Sequence, residues 1–224
     1  MAKNIATLAR SIAELDGKSV NSDDQLTVII QAGGQSRRMG QDKGLKEFLG
    51  EPLTQRLVKR LKPLGQDIFV IARQSSDYAF LNLPIYTDVQ PGIGALGGLY
   101  TAMKVAVTPF VAVVACDMPF VSSELLMDEW RLIRENDCDA VIPDHQKKLQ
   151  PFHAVYRVET CLPALNDAIE NGEQRVLSWL ATLKTCKVPT VEIRRFDPLC
   201  MAFINLNTPD DFKSAERIAR YYKR

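Results

Sequence analysis

The apolar positions of the chain fall into short runs separated by polar, glycine-rich or proline-rich stretches, and the runs alternate between two periods. Leu26 to Ala32 is apolar on both faces and rich in β-branched residues, the pattern of a strand buried in a parallel sheet. In the next run Leu53, Leu57, Val58, Leu61 and Leu64 recur at helical spacing opposite Arg56, Lys59 and Lys62, which predicts a helix over 53–64 with those cations on its outer side. Strands follow at 67–72 and at 85–87, the second ending at Asp88. The segment VQPGIGALGGLYTAM then reads as a loop entering a helix. Thr108 to Cys116 is the most apolar strand and stops at Asp117-Met118-Pro119. Ser122 or Ser123 caps a helix that runs to about Glu135.

The second half alternates less regularly. Residues 140–142, 151–157, 188–193 and 201–206 read as strands, and 160–171 as a helix closed by Gly172. Thr208-Pro209-Asp210-Asp211 offers a capping hydroxyl, a proline at the first helical position and two acids facing the helix dipole, so a final helix begins there. At the other end, Ile5, Leu8, Ile12 and Leu15 predict a short helix, joined to the first strand by DGKSVNSDDQ. The expected organisation is an N-terminal helix and linker over 1–25 and one α/β domain over 26–224. Its β-α-β-β-α-β-α order implies three layers, a mostly parallel sheet with helices on both faces.

Composition narrows what such a domain does. With 46% hydrophobic and 25% charged residues the chain has the make-up of a soluble globular protein. Lys and Arg total 28 against 27 for Asp and Glu, so no overall field favours nucleic acid or an anionic membrane, and any anion site must be local. No apolar run approaches the roughly 20 residues that span a bilayer. The five cysteines include no C-x-x-C pair and are odd in number, which points to reduced thiols and a cytoplasmic protein. With only His145 and His153 as imidazoles, a zinc site is not expected.

One local anion site stands out. After the first strand the chain reads AGGQSRRMGQDKG, placing Arg37, Arg38 and Lys43 beside Gly33, Gly34, Gly40 and Gly44. Glycine lets backbone N–H groups approach a phosphate closely, and the cations neutralise it. The loop matches neither the Walker pattern G-x-x-x-x-G-K-[ST] nor the dinucleotide fingerprint G-x-G-x-x-G. In an open parallel sheet, residues just after each strand converge on the ligand crevice; here they are Gly33 and Gly34, Ala72 and Arg73, Asp88 and Asp117. A carboxylate beside a nucleotide's phosphates is the usual seat of Mg²⁺, which keeps most of its waters. Asp117, after a wholly apolar strand, is the first candidate for that role, and a turn cap is its structural alternative. Asp88 suits a guanine edge, a ribose hydroxyl or a backbone turn.

The segments QAGGQSRRMGQDKGL, TDVQPGIGALGGL, VVACDMPFV, NGEQRVLSWL and FINLNTPDDF occur together, in this order, over about residues 26–215. In this the chain resembles the molybdenum cofactor guanylyltransferases, a branch of the nucleotidyltransferases with a Rossmann-like sheet. The resemblance implies transfer of GMP from GTP to the terminal phosphate of molybdopterin, with Mg²⁺ as cofactor. Gln31, Ala32 and Gly33 would contact the guanine nucleoside, Gly34 and Arg38 would lie near the phosphates, and Lys43 would bind a phosphate oxygen. Asp88 would belong to the nucleotide site and Asp117 would ligate Mg²⁺. Arg175, Asn205 and Asn207 would line the molybdopterin side. Molybdopterin-insertion proteins or acceptor molybdoenzymes are the implied protein partners.

The chain departs from the family pattern in three places. Gln31 stands where leucine is usual, Gly94-Ala95-Leu96-Gly97-Gly98 lacks a proline, and Ile71 stands where some relatives carry a nucleotide-contacting asparagine. Cytidylyl relatives tend to have AAG at 32–34, so the absent methyl at Gly33 leaves room for a purine. The rival readings are a molybdopterin cytidylyltransferase, a sugar-phosphate nucleotidyltransferase and a non-catalytic nucleotide- or molybdopterin-binding module.

Overall fold

The computed structural model describes residues 25–32, 42–65 and 67–222. The expected N-terminal helix and the loop positions Gly33, Gly34, Arg37, Arg38 and Gly40 lie outside these residues.

Among the described residues ten strands form, β1 (Leu26–Gln31), β2 (Glu47–Phe48), β3 (Glu51–Pro52), β4 (Ile68–Ile71), β5 (Ile85–Tyr86), β6 (Phe110–Ala115), β7 (Ala140–His145), β8 (Lys148–Leu149), β9 (His153–Arg157) and β10 (Thr185–Pro189). The helices are α1 (Leu53–Leu61), α2 (Ala95–Val105), α3 (Ser123–Glu135), α4 (Val158–Glu170), α5 (Val176–Leu180), α6 (Thr190–Phe196) and α7 (Pro209–Tyr222). The main sheet runs β10-β7-β9-β6-β1-β4-β5, with β8 attached to β7. β1 is parallel to both neighbours, in a register that sets Gln31 level with Ile71 and Ala115. Only β8 and β9 run against the rest, β9 fitting between β6 and β7.

Burial explains the three layers. Val28 and Ile30 of β1 face a core shared with Leu57 and Leu61 of α1, Leu125 and Ile133 of α3 and Ile193 of α6. Ile29 faces the other core, with Leu96, Leu99 and Met103 of α2, Cys161 and Leu165 of α4 and Trp179 of α5. A strand whose two faces are both covered must be apolar throughout, as β1 and β6 are. A third cluster, Phe48, Leu53, Phe120, Met201, Leu206 and Phe212, seats α7 on the β2–β3 hairpin. The caps are those read from the chain: the Ser122 hydroxyl accepts from Leu125 N, and the Thr208 hydroxyl accepts from Asp211 N, while Asp211 Oδ2 in turn accepts from the N–H groups of Asn207 and Thr208.

Three expectations are corrected. Residues 188–193 are not a strand: β10 ends at Pro189, and the chain turns into α6. Val191 is 73% exposed while Ile193 joins Phe196, three residues on, against the core, a helical and not a strand spacing. Residues 201–206 are a 3-10 turn at Met201–Phe203 followed by an extended tail, since Asp197 Oδ2 accepts from Ala202 N and closes the turn. Cys138 and Cys186 form a disulfide, with Cα atoms 6.0 Å apart, where the approach to β7 runs beside β10; Cys116, Cys161 and Cys200 are free and buried. Among the described residues no helix is long and apolar enough to cross a membrane.

Candidate nucleotidyl-transfer site

The chain leaves β1, builds β4 and β5 on one side and returns to β6 on the other, so the strand order reverses at β1 and β6. The carboxyl ends of these two strands therefore open a crevice. Cys116 N donates to Gln31 O at 2.9 Å, zipping them together up to the residue before Asp117. Burial pushes the Cys116 thiol upward, with the Asp117 charge adding to the effect, so it stays protonated.

Three segments distant in sequence meet at Asp117. Lys43 begins a 3-10 turn (Lys43–Leu45) capped by Asp42, whose Oδ1 accepts from Gly44 N. Lys43 Nζ donates to Asp117 Oδ2 at 2.9 Å and to Asn207 Oδ1 at 2.7 Å. Leu206 N donates to the Asp117 carbonyl at 2.9 Å, which fixes the Asn205–Asn207 tail against the same loop. The side chains of Lys43 and Asp117 are 17% and 19% exposed, sheltered enough to strengthen the pair and open enough to meet a ligand. Asp117 Oδ1 has no hydrogen bond among the described residues. The described residues hold no cluster of three His, Cys, Asp or Glu side chains fit for a metal. Mg²⁺ bound through phosphates needs only one or two protein oxygens, and Asp117 offers one.

The wall towards α2 is polar and close-fitting. Gln31 lies flat on Gly98, where a Cβ would come 2.9 Å from its carboxamide. Its Nε2 is buried without a hydrogen-bond partner among the described residues. Asp88 Oδ1 accepts from Gln90 N at 3.0 Å and from Thr101 Oγ1 at 2.8 Å. Of the three roles open to Asp88, the backbone turn is thus filled, and Oδ2 faces Gly97. Gly44 differs from the reading given to the loop glycines. It is buried, and a Cβ there would meet Tyr78 Oη at 2.6 Å and Thr54 Cγ2 at 2.8 Å, so packing explains why it is glycine.

The remaining expected residues are placed less centrally. α4 starts beside the first residue of β6, where Val158 N donates to Pro109 O, and its 13 residues carry the chain about 20 Å back to the crevice edge. Arg175 follows there, 86% exposed, with Nε 3.9 Å from Glu173 Oε1. The backbone N–H groups of Arg175 and Gln174 hold the Glu173 carboxylate below its usual range. Asn205 is exposed and donates to Phe203 O. The Lys43–Asp117–Asn207 contact unites the first loop, the metal candidate and one molybdopterin-side residue, and leaves Arg175 and Asn205 outside it.

The pattern of charges along the chain gave no sign of several residues that support this edge. His153, fully buried on β9 opposite Val114, accepts from Ser122 N through Nε2, so Nδ1 carries the proton and donates to Glu129 Oε1 at 3.2 Å. Burial pushes His153 down to about 4, which leaves it neutral at pH 7, and pushes Glu129 well above its usual range. Phe203 sets its ring edge on His153 and stacks on His145.

The MobA-like NTP transferase domain matches residues 28–186. The molybdenum cofactor guanylyltransferase of Shewanella woodyi is 32% identical over 88% of this chain and 98% of its own length. A Chloroflexus aggregans protein named "Probable molybdenum cofactor guanylyltransferase" is 35% identical over 83% of this chain and 90% of its own. The crystal structure of molybdopterin-guanine dinucleotide biosynthesis protein A from Archaeoglobus fulgidus superposes with a TM-score of 0.77 at 29% identity, covering 87% of this chain and 99% of that one. With a family match over well over half its length, relatives above 30% identity along most of it and a switch-point crevice in the matching sheet, the chain belongs to the MobA-like NTP transferase family.

Proposed function

We propose that this protein transfers GMP from GTP to the terminal phosphate of molybdopterin, giving the guanine dinucleotide form of the cofactor and pyrophosphate. The observation that carries the reading is the contact of Lys43 Nζ with both Asp117 and Asn207, which joins a phosphate-loop cation to a carboxylate and to the acceptor-side tail. The names of the relatives in this family supply the guanine nucleotide and the cofactor.

In the reaction a terminal phosphate oxygen of the acceptor attacks the α-phosphorus of GTP; the new O–P bond forms as the bond to the β-phosphate oxygen breaks, and pyrophosphate departs with that electron pair. Gln31, Ala32, Gly33 and Asp88 hold the nucleoside, and Gly34, Arg38 and Lys43 take the phosphates. Arg175, Asn205 and Asn207 receive the acceptor. Asp117 would hold Mg²⁺ through Oδ1, and the ion would supply positive charge where the leaving oxygens gain negative charge. Positioning and electrostatics do most of the work, as is usual for transfer to phosphorus. The catalytic unit is residues 26–224, and a cytoplasmic location suits a step that consumes GTP.

The test is pyrophosphate release from GTP and molybdopterin at saturating Mg²⁺, with CTP in parallel. Release with GTP in excess of CTP is expected. No release would sink the enzymatic reading, and a preference for CTP would sink the guanylyl one.

A further inference from the structure

The cations on α1 do not all face water. Arg56 Nε donates to the Pro119 carbonyl at 3.3 Å, and Arg60 Nε, one turn on, donates to the Val121 carbonyl at 2.8 Å. Both carbonyls belong to the four-residue stretch that separates Asp117 from the α3 cap at Ser122. The Arg56 guanidinium also lies over the Phe48 ring, 5.3 Å from its centroid, and Phe48 meets Phe120 edge-on at 6.1 Å. Arg56 is thus fixed on the very aromatic pair that anchors the loop.

Its placement costs free energy. Nη2 of Arg56 is buried with no hydrogen-bond partner among the described residues, and burial holds the guanidinium below its ordinary pKa. A half-buried cation with one unsatisfied nitrogen calls for an explanation beyond stability, because an apolar side chain would fill the same volume without that penalty. The loop it holds is tied down on its other sides too: Leu206 N donates to Asp117 O, and Ser122 N donates to His153 Nε2. Two guanidinium groups on successive turns of one helix, gripping carbonyls two residues apart, fix the rotation of the loop and hence the direction of the Asp117 carboxylate.

We infer that Arg56 and Arg60 are positioning residues for nucleotidyl transfer, which set the Asp117 loop in its productive orientation through the Pro119 and Val121 carbonyls without touching either substrate. The inference rests on the proposed role of Asp117. Carboxylate displacement of about 1 Å at a reacting centre lowers turnover by up to about 100-fold.

The experiment measures kcat and the KM for GTP of Arg56→Met, Arg60→Met and the double variant by pyrophosphate release, with thermal unfolding alongside and Asp117→Ala as reference. Expected is a fall in kcat of about 10-fold or more, a GTP KM within about twofold of wild type, and a raised Mg²⁺ concentration for half-maximal rate. Wild-type kcat in folded variants, or a change confined to the melting temperature or to the GTP KM, overturns the positioning role. Arg60→Met alone keeps the test decisive should Arg56→Met fail to fold. If Asp117→Ala turns over normally, the reading of Asp117 fails instead; if it is inactive while the arginine variants are not, only this inference fails.

Discussion

Lys43 Nζ and Asp117 Oδ2 lie 2.9 Å apart, although the two residues are 74 positions apart in the chain. The ammonium lies on one carboxylate oxygen, so Lys43 offsets the negative charge of Asp117. Burying the carboxylate unpaired at the end of a strand as apolar as β6 would be costly. In the proposed mechanism the phosphates of an entering nucleotide would offer Lys43 a stronger partner and would release Asp117 for the metal. The pair is a structural contact, and under that proposal it is also the resting state of the site.

Asp117→Asn is expected to keep the fold and lose the chemistry. The amide oxygen can still accept from Lys43, but the negative charge is gone, and turnover should fall by about 100-fold or more, since charge stabilisation at a transferring phosphoryl group is commonly worth about 3 kcal/mol per group. Steady-state pyrophosphate release across a Mg²⁺ titration is the measurement. A variant retaining wild-type rates at ordinary Mg²⁺ would remove Asp117 from the mechanism.

Gly44→Ala tests whether that glycine serves packing. The new methyl would meet Tyr78 Oη at 2.6 Å and Thr54 Cγ2 at 2.8 Å inside a closed core. Overpacking of this kind costs about 1–3 kcal/mol, so the urea midpoint should drop while the nucleotide KM of the folded fraction changes little. A normal midpoint with a raised KM would return Gly44 to the phosphate site.

How much of this could be read from the chain depends on whether the cause is local. β1, β6 and the caps of α3 and α7 follow from runs of adjacent residues, and they stand where the pattern puts them. The crevice carboxylates were legible too, because strand ends converge by topology alone. α6 was not, since Val191 and Ile193 imitate strand alternation over a stretch too short to reveal its true period. Arg56 was read with Lys59 and Lys62 as an outer face, and Arg60 was not singled out, because helical spacing gives an angle about the axis but not which neighbour stands there. The bond from Lys43 to Asn207 spans 164 positions and leaves no trace in spacing.

Asn207 offers a graded electrostatic test. Asn207→Ala removes one of the two acceptors that hold Lys43 Nζ, and Asn207→Asp replaces it with a second negative charge where an anionic acceptor is to approach. The alanine variant should lower kcat/KM for molybdopterin by about 10-fold and the aspartate variant by more, because like charges at close range cost further free energy. Kinetics with molybdopterin varied at saturating GTP decide it. Equal values for the two variants would mean that Asn207 does not face the acceptor.

Glu129 and His153 set opposing pH dependences, and Glu129→Gln separates them. His153 is held down to about 4 by burial, below its unfolded value near 6.5. Between those values the unfolded chain binds the extra proton, so this contribution to stability is present above pH 6.5 and is lost as pH falls towards 4. Glu129 is raised well above its unfolded value by burial, so the folded protein binds the extra proton. Its contribution is present below the unfolded value and is lost as pH rises towards the raised one. Glutamine keeps an oxygen that accepts from His153 Nδ1 but carries no titrating proton, so the variant loses only the second dependence. Its stability relative to wild type should therefore climb with pH above about 4.5, by at most about 1.4 kcal/mol per pH unit. Urea unfolding of both proteins from pH 4 to 8 measures the difference; a difference that stays level across the range would show that Glu129 does not hold its proton in the fold.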